Sequence, residues 1–146
     1  MRHPCRSCGA CCAHYRVSVH WMETDASPGG LVPQALTEAF GPHMAVMRGT
    51  WAASPRCVAL DADIGTHATC TIHAQRPAPC RDVEASWESG ARSDQCDRAR
   101  LAHGLPVLTP ADWLPVVAIA VTLVDRIDAP LAAAFEPERV ASAPTR

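Results

Sequence analysis

Four cysteines fall within eight residues near one end of the chain, in the run Cys5-x-x-Cys8-x-x-Cys11-Cys12. A C-x-x-C loop turns so that both sulfurs can reach one metal, and its tight backbone aims amide N–H groups at thiolates, which stabilises their charge. Soft thiolates select zinc or iron–sulfur clusters over magnesium or calcium. Cys5, Cys8 and Cys11 have the spacing found in bacterial ferredoxins, while Cys8-Gly9 also ends a C-x-x-C-G turn of the kind zinc knuckles use. Spacing alone admits both metals. Adjacent side chains at Cys11 and Cys12 diverge, so they suit different metals, or a bridge, better than chelation of one.

Four further cysteines, Cys57, Cys70, Cys80 and Cys96, are spread through loops or at the ends of elements. Eight thiolates match two four-cysteine zinc sites, one four-iron cluster with four cysteines over, or two clusters. Four disulfides would also use an even count. However, no apolar signal segment precedes Cys5, and a bridge between Cys11 and Cys12 would be strained. A cytoplasmic, reducing location and metal-bound thiolates are therefore expected. Eight cysteines in 146 residues is also far above the usage that buried, unliganded thiols account for. All eight are candidate ligands, and no other residue is expected to bind a cofactor.

Arg6, Arg56, Arg76, Arg81 and Arg98 are among the arginines that lie within four residues of a cysteine. A metal with four thiolates carries a charge of about −2 for either zinc or an oxidised four-iron cluster, and guanidinium groups can offset that and donate to sulfur. Arginine is also the only basic side chain available, since all thirteen basic groups are arginine. His3, His14 and His73 stand near cysteines and could replace a ligand, although surface or core placement fits them better. There is no nucleophile–base pair, phosphate loop or catalytic helix motif, so no activity of the chain on its own is expected.

The length fits one modest core. Thirteen prolines, eight glycines and only seven aromatic residues indicate short elements, many loops and a core that needs staples. The expected fold is a small α+β, loop-rich, metal-stapled domain with short strands and a C-terminal helix. Alternation over 15–21 predicts a strand, with further short strands at 44–47, 56–60 and 69–72. Helices are expected over 33–40, after Pro33, and over 94–103, before Gly104. Residues 75–90 read mostly as loop. Thr109-Pro-Ala-Asp112 has the form of a helix cap, and apolar residues at helical spacing follow over 113–127. The expected division is a cysteine-cluster region over 1–108, with a C-terminal helix and tail over 109–146.

A net charge of −2 gives no footprint for nucleic acid. The longest apolar stretch, 116–124, is well short of the ~20 residues a membrane span requires. Partners are therefore expected to be neither nucleic acid nor membrane, but a protein of unspecified identity. The apolar 113–127 helix offers a homodimer surface.

At Cys5-x-x-Cys8-Gly9-x-Cys11-Cys12, and again at Cys70-Thr-Ile-His-Ala-Gln-Arg-Pro-Ala-Pro-Cys80-Arg81, the chain resembles the YkgJ-type CxxCxxCC cysteine-cluster family. The likeness extends through Pro55-Arg-Cys57-Val-Ala-Leu60 and Cys96-Asp-Arg-Ala-Arg100 to Gly104-Leu105, which covers roughly residues 5–108. That family is described as zinc- or iron-chelating and often as iron–sulfur proteins. The resemblance implies that all eight cysteines belong to the metal region, with a 4Fe–4S cluster or zinc as the cofactor. A larger relative, the flagellin lysine methylase, uses such a module with a four-iron cluster, which favours iron. His73 stands where the family usually has tyrosine; this leaves an extra nitrogen ligand open, with stacking or hydrogen bonding the better fit. The leading expectation is an iron–sulfur protein serving electron transfer or a partner enzyme. The alternatives are a zinc protein with structural or storage sites and an interaction role, and an accessory subunit of an oxidoreductase or methyl-transfer enzyme.

Overall fold

Val17 and Val19 are buried where the alternating pattern puts them, but regular pairing is confined to strand β1, Ser18–His20. Trp21, expected on the same face, opens a 3₁₀ turn and is exposed. The structure is a computed structural model that describes residues 3–114. Strand β2 is Thr37–Ala39 and β3 is Met44–Met47, as the sequence predicted for 44–47. They form an antiparallel sheet in the order β1-β3-β2, with Val19 opposite Ala45 on one side of β3 and Ala39 opposite Ala45 on the other. Ala45, Val46 and Met47 are all buried, as befits the central strand of the three.

The helix expected over 33–40 is absent, and a single 3₁₀ turn, Gln34–Leu36, runs directly into β2. Pairing with β3 outcompetes helix propensity here. The Arg48 backbone N–H donates to the carbonyl of Leu36, and the Arg48 side chain donates to the carbonyl of Thr37 at 2.9 Å. Those carbonyls are no longer available to a continuing helix.

A second sheet is the hairpin of β4, Leu60–Asp63, and β5, His67–Cys70, with Leu60 opposite Cys70. Both strands are displaced from the expected 56–60 and 69–72. Residues 56–58 instead bond to other loops: Arg56 donates to the carbonyl of Gly49 and Val58 to that of Arg48. The hairpin turn donates from the Gly65 N–H to the carbonyl of Cys8, which ties it to helix α1, Cys5–Cys8. Between residues 75 and 90 the chain is mostly loop, interrupted by α2, Ala78–Arg81. Helix α3 is Asp94–Ala102, with Ser93 as its N-cap and its Oγ accepting from the Cys96 N–H at 3.3 Å.

The described residues thus form a small α+β arrangement of short elements. Its largest core cluster joins Val17, Val19, Val32, Ala45, Met47, Ala59 and Ile72, with no aromatic ring among them. At Thr109 the expected cap is present. Its N–H and hydroxyl both donate to the Asp112 carboxylate, at 2.7 and 2.9 Å, before a 3₁₀ turn at Pro110–Trp113. The rest of the expected 113–127 helix, its homodimer surface and the tail lie outside the described residues.

Candidate metal centre

Cys5 and Cys8 are three residues apart on α1, which puts them on one face of its single turn. Gly9 then takes the left-handed conformation, φ 68°, that ends the helix and reverses the chain. No side chain fits there easily, because a Cβ would stand 3.0 Å from both the Ala68 Cβ and the Ile64 Cδ1. After the reversal Ala10 is fully buried, and Cys11 opens a 3₁₀ turn, Cys11–Ala13.

Helix α3 packs on that turn. Cys8, Ala10 and Ala99 form one core cluster, with Cys11, Tyr15 and Leu105 against it. The Tyr15 hydroxyl donates to the carbonyl of Gln95 at 2.8 Å, which pins the start of α3 beside the cysteine run. Cys96 lies three residues before Ala99 and is buried against Ala85 and Leu108. Cys8 and Cys11 thus share one cluster, Cys5 stands on the same helical turn as Cys8, and Cys96 is buried in a separate cluster on the helix that packs there.

Burial aside, the thiols also act on one another, and not in two closed groups: Cys12 raises both Cys5 and Cys11, and Cys8 raises Cys12. Burial, then the neighbouring thiols of Cys8 and Cys96, push the Cys5 thiol up to about 12. Burial, then Cys96, Cys8 and Cys5, do the same to Cys11, again to about 12. Cys5 nevertheless keeps an exposed side, so this set reaches the surface at one corner.

The other four cysteines, Cys12, Cys57, Cys70 and Cys80, line a single cavity of about 70 Å³. The Cys57 N–H donates to the carbonyl of Cys12 at 2.9 Å. Cys70 closes β5, and Cys80 sits on α2, whose first N–H, that of Ala78, donates to the Glu23 carboxylate at 3.2 Å. Burial, then Cys57 and Cys70, raise the Cys12 thiol to about 11. Burial, then Cys12, Cys57 and Cys70, raise Cys80 to about 12. Burial also raises Cys57, against the lowering effect of the Ala59 N–H. Arg76 lines the cavity and is the cation that lowers both Cys12 and Cys80. The remaining wall is apolar, with Val17, Met47, Ala59, Ile72 and Pro77.

The donor set fits the metals the sequence pointed to. All eight cysteines are free thiols, and each group offers four soft sulfurs. Buried thiols with pKa values near 12 do not ionise together at neutral pH unless a cation joins them, which a metal or cluster supplies.

Among the arginines near cysteines, Arg76 is the one that lines the cavity. Arg56 donates to the Ala62 carbonyl, Arg81 to the Arg76 carbonyl and Arg98 to that of Asp94, while Arg6 is exposed. None of the three histidines lines the cavity. His3 pairs with Glu88 at 3.0 Å and accepts from the Cys5 N–H. His14 packs edge-on against Tyr15, and His73 is exposed at the start of a 3₁₀ turn.

Two features beside the sulfurs have no signature in the sequence. One is Tyr15, which borders Cys11. The other is buried Asp97, which follows Cys96 and accepts from the Ser86 hydroxyl at 2.6 Å and from Arg92 at 2.8 Å.

The profile of the CxxCxxCC family, described as "Putative zinc- or iron-chelating domain", matches residues 4–97, a span that holds both cysteine groups. The chain belongs to the CxxCxxCC family. Within it, the chain is 45% identical over 105 residues to "Uncharacterized protein YkgJ" of Escherichia coli O157:H7, which covers 72% of this chain and 95% of that protein. It is 43% identical over 111 residues to a "Putative ferredoxin" of Acinetobacter calcoaceticus, which covers 74% and 83% respectively. No solved structure matches. The family and these relatives make the chain a metal-binding cysteine protein, with zinc and iron both within the family's description. Among the described residues no helix is long and apolar enough to cross a membrane.

Proposed function

We propose that this chain is an iron–sulfur protein, with a cluster held by Cys12, Cys57, Cys70 and Cys80, that serves electron transfer or a partner enzyme. The cavity between those four cysteines carries the proposal. Zinc binds thiolates at about 2.3 Å in a tetrahedron, which draws four sulfurs to roughly 3.8 Å from one another. A cavity of about 70 Å³ is several times the ~10–15 Å³ that one water needs, and asks for a larger inorganic core.

When bound, an iron–sulfur cluster supplies reversible one-electron chemistry. The chain's own residues set its surroundings. Val17, Met47, Ala59, Ile72 and Pro77 give the cavity an apolar lining, and Arg76 offers the positive charge beside it. Adding negative charge beside apolar walls is unfavourable and is eased by that cation. The relative described as a ferredoxin supports the same reading. Eight free thiols fit a reducing, cytoplasmic setting.

Purification without oxygen, followed by an absorbance spectrum and assays of iron, sulfide and zinc, tests the proposal. A brown protein with a broad band near ~400 nm and matching iron and sulfide supports it. A colourless protein with stoichiometric zinc replaces it with the zinc reading.

A further inference from the structure

We propose that a second cavity, beside α2, binds a free α-amino acid with an apolar side chain. Met22, Glu23, Leu31 and Arg81 line it, together with the turn at Gly29 and Gly30, and its volume is about 180 Å³. It shares no lining residue with the thiol-lined cavity, so the proposal rests neither on the metal nor on its identity.

The charges decide the class of ligand. The Glu23 carboxylate is anchored by accepting from the Ala78 N–H at 3.2 Å, and the Arg81 guanidinium by donating from Nη1 to the carbonyl of Arg76 at 2.6 Å. Those anchors are two residues apart, which holds opposite charges near one another on one cavity. They form no ion pair, since the two ion pairs among the described residues are His3 with Glu88 and Arg92 with Asp97. Glu23 Oε1 and the Nε and Nη2 groups of Arg81 have no hydrogen-bond partner among the described residues. A lone anion would satisfy Arg81 and be repelled by Glu23, and a lone cation would meet the reverse. A zwitterion satisfies both: its carboxylate accepts from Arg81 while its ammonium donates to Glu23. In an α-amino acid the two groups sit on one carbon, which suits anchors this close.

The walls supply the rest of the specificity. Met22 and Leu31 are 55% and 56% exposed, so they offer apolar surface that a ligand's side chain would cover. The loop that carries them is closed on itself. The N–H groups of Leu31 and Val32 both donate to the carbonyl of Glu23, at 2.8 and 2.9 Å, and that of Gly30 donates to the carbonyl of Ser27 at 3.0 Å. Gly30 has no room for a side chain, because a Cβ would collide with the Thr24 carbonyl oxygen. A loop fixed in this way leaves little to order when a ligand arrives. The size is adequate too. One water needs ~10–15 Å³, so about 180 Å³ admits a small organic molecule.

Titration calorimetry on the full chain, purified without oxygen, tests this with L-leucine as the probe. Two analogues each lack one charge: 4-methylpentanoate has no ammonium, and 3-methylbutylamine has no carboxylate. One leucine per chain, bound at least about tenfold more tightly than either analogue, is the expected result. That comparison needs no variant to fold. Arg81→Gln should then weaken leucine by at least about tenfold and leave the amine unchanged. No saturable heat with leucine up to about 10 mM overturns the proposal. So do three ligands that bind alike, which would make the cavity a merely apolar cleft. Leucine bound equally by Arg81→Gln and wild type overturns it as well, because the binding would lie elsewhere. Each of these failures leaves the metal reading standing, since metal is counted separately.

Discussion

The backbone N–H of Cys57 donates to the carbonyl of Cys12 across 2.9 Å, so two cavity cysteines from distant parts of the chain are held together by main chain before any metal joins them. The cavity cysteines are otherwise carried by a hairpin strand of four residues and a helix of four. Elements this short do not stand alone.

Metal removal should therefore unfold much of the described region. Its largest cluster is built from valine, alanine, methionine and isoleucine without an aromatic ring, and the cysteines are spread from residue 5 to residue 96. Structural metals supply folding free energy on the order of 10 kcal/mol in small domains. Circular dichroism and a thermal melt before and after anaerobic chelation measure this. An unchanged spectrum and midpoint would show that the apolar cluster suffices.

Serine at Cys80 should strip metal where serine at His73 does not. Cys80 lines the cavity on α2, whereas His73 is exposed and outside it. Serine nearly matches cysteine in shape, so lost metal reports lost thiolate chemistry. Metal per chain in Cys80→Ser and His73→Ser decides it, and depletion in the histidine variant alone would make this a mixed cysteine–histidine site.

How far these relationships were legible beforehand differs from residue to residue. The thiols announced themselves by type and spacing, because soft ligands in overlapping C-x-x-C units have few other uses. Their assortment was not legible. Cys96 lies closest in sequence to Cys80, yet α3 carries it to the Cys11–Ala13 turn through contact between Ala10 and Ala99, and small residues in contact leave no periodic trace. The strand at Met44–Met47 and the helix at Asp94–Ala102 followed from local pattern. The helix expected over 33–40 failed because β3 pairs with residues 37–39 and Arg48 takes the carbonyl of Leu36, which only tertiary pairing reveals.

Replacing Arg76 with glutamine should leave the fold in place and make a cluster held in the cavity harder to reduce. The guanidinium is the cation that lowers Cys12 and Cys80, and among the described residues its side chain donates no hydrogen bond that the fold would lose. Removing a positive charge from an apolar wall disfavours added electrons, so the potential should move to more negative values by tens of mV. A potentiometric titration of Arg76→Gln beside exposed Arg6→Gln isolates the effect. Equal potentials in the two would show that Arg76 is too well solvated to matter.

Acid should weaken α3 through Asp97. The Ser86 hydroxyl, against an opposing effect of burial, and then Arg92 hold its carboxyl below the usual carboxylate range. A group with a depressed folded-state pKa contributes stability that is present above its unfolded pKa of ~3.9 and is lost as pH falls through the folded value. Asp97→Asn should thus be less stable than wild type by about 1–3 kcal/mol at pH 7, from the disrupted bonds. The gap should begin to narrow as pH falls below about 4 and close only below the depressed folded-state value. Denaturant melts of metal-loaded protein at several pH values give the difference directly, and a gap that persists at low pH would assign it to packing and not to charge.

Two glycines in similar backbone conformations separate strain from contact. Gly9 and Gly104 have φ of 68° and 70°, so alanine at either carries the same left-handed penalty of about 1–2 kcal/mol. A Cβ at Gly104 meets open space, whereas at Gly9 it meets Ala68 and Ile64 at 3.0 Å. Ala68 is a strand residue of the hairpin with no flexible end to move aside, so the neighbours of Gly9 yield only by shifting β5 or α1. Gly9→Ala should therefore be the less stable variant. Because α1 carries Cys5 and Cys8 and none of the cavity cysteines, metal held in the cavity should be retained in both variants. Thermal melts and metal counts for the two alanine variants check both halves. Equal melting temperatures would show that the hairpin yields to the added methyl group without cost. Metal lost in Gly9→Ala and kept in Gly104→Ala would show that α1 supports the cavity as well.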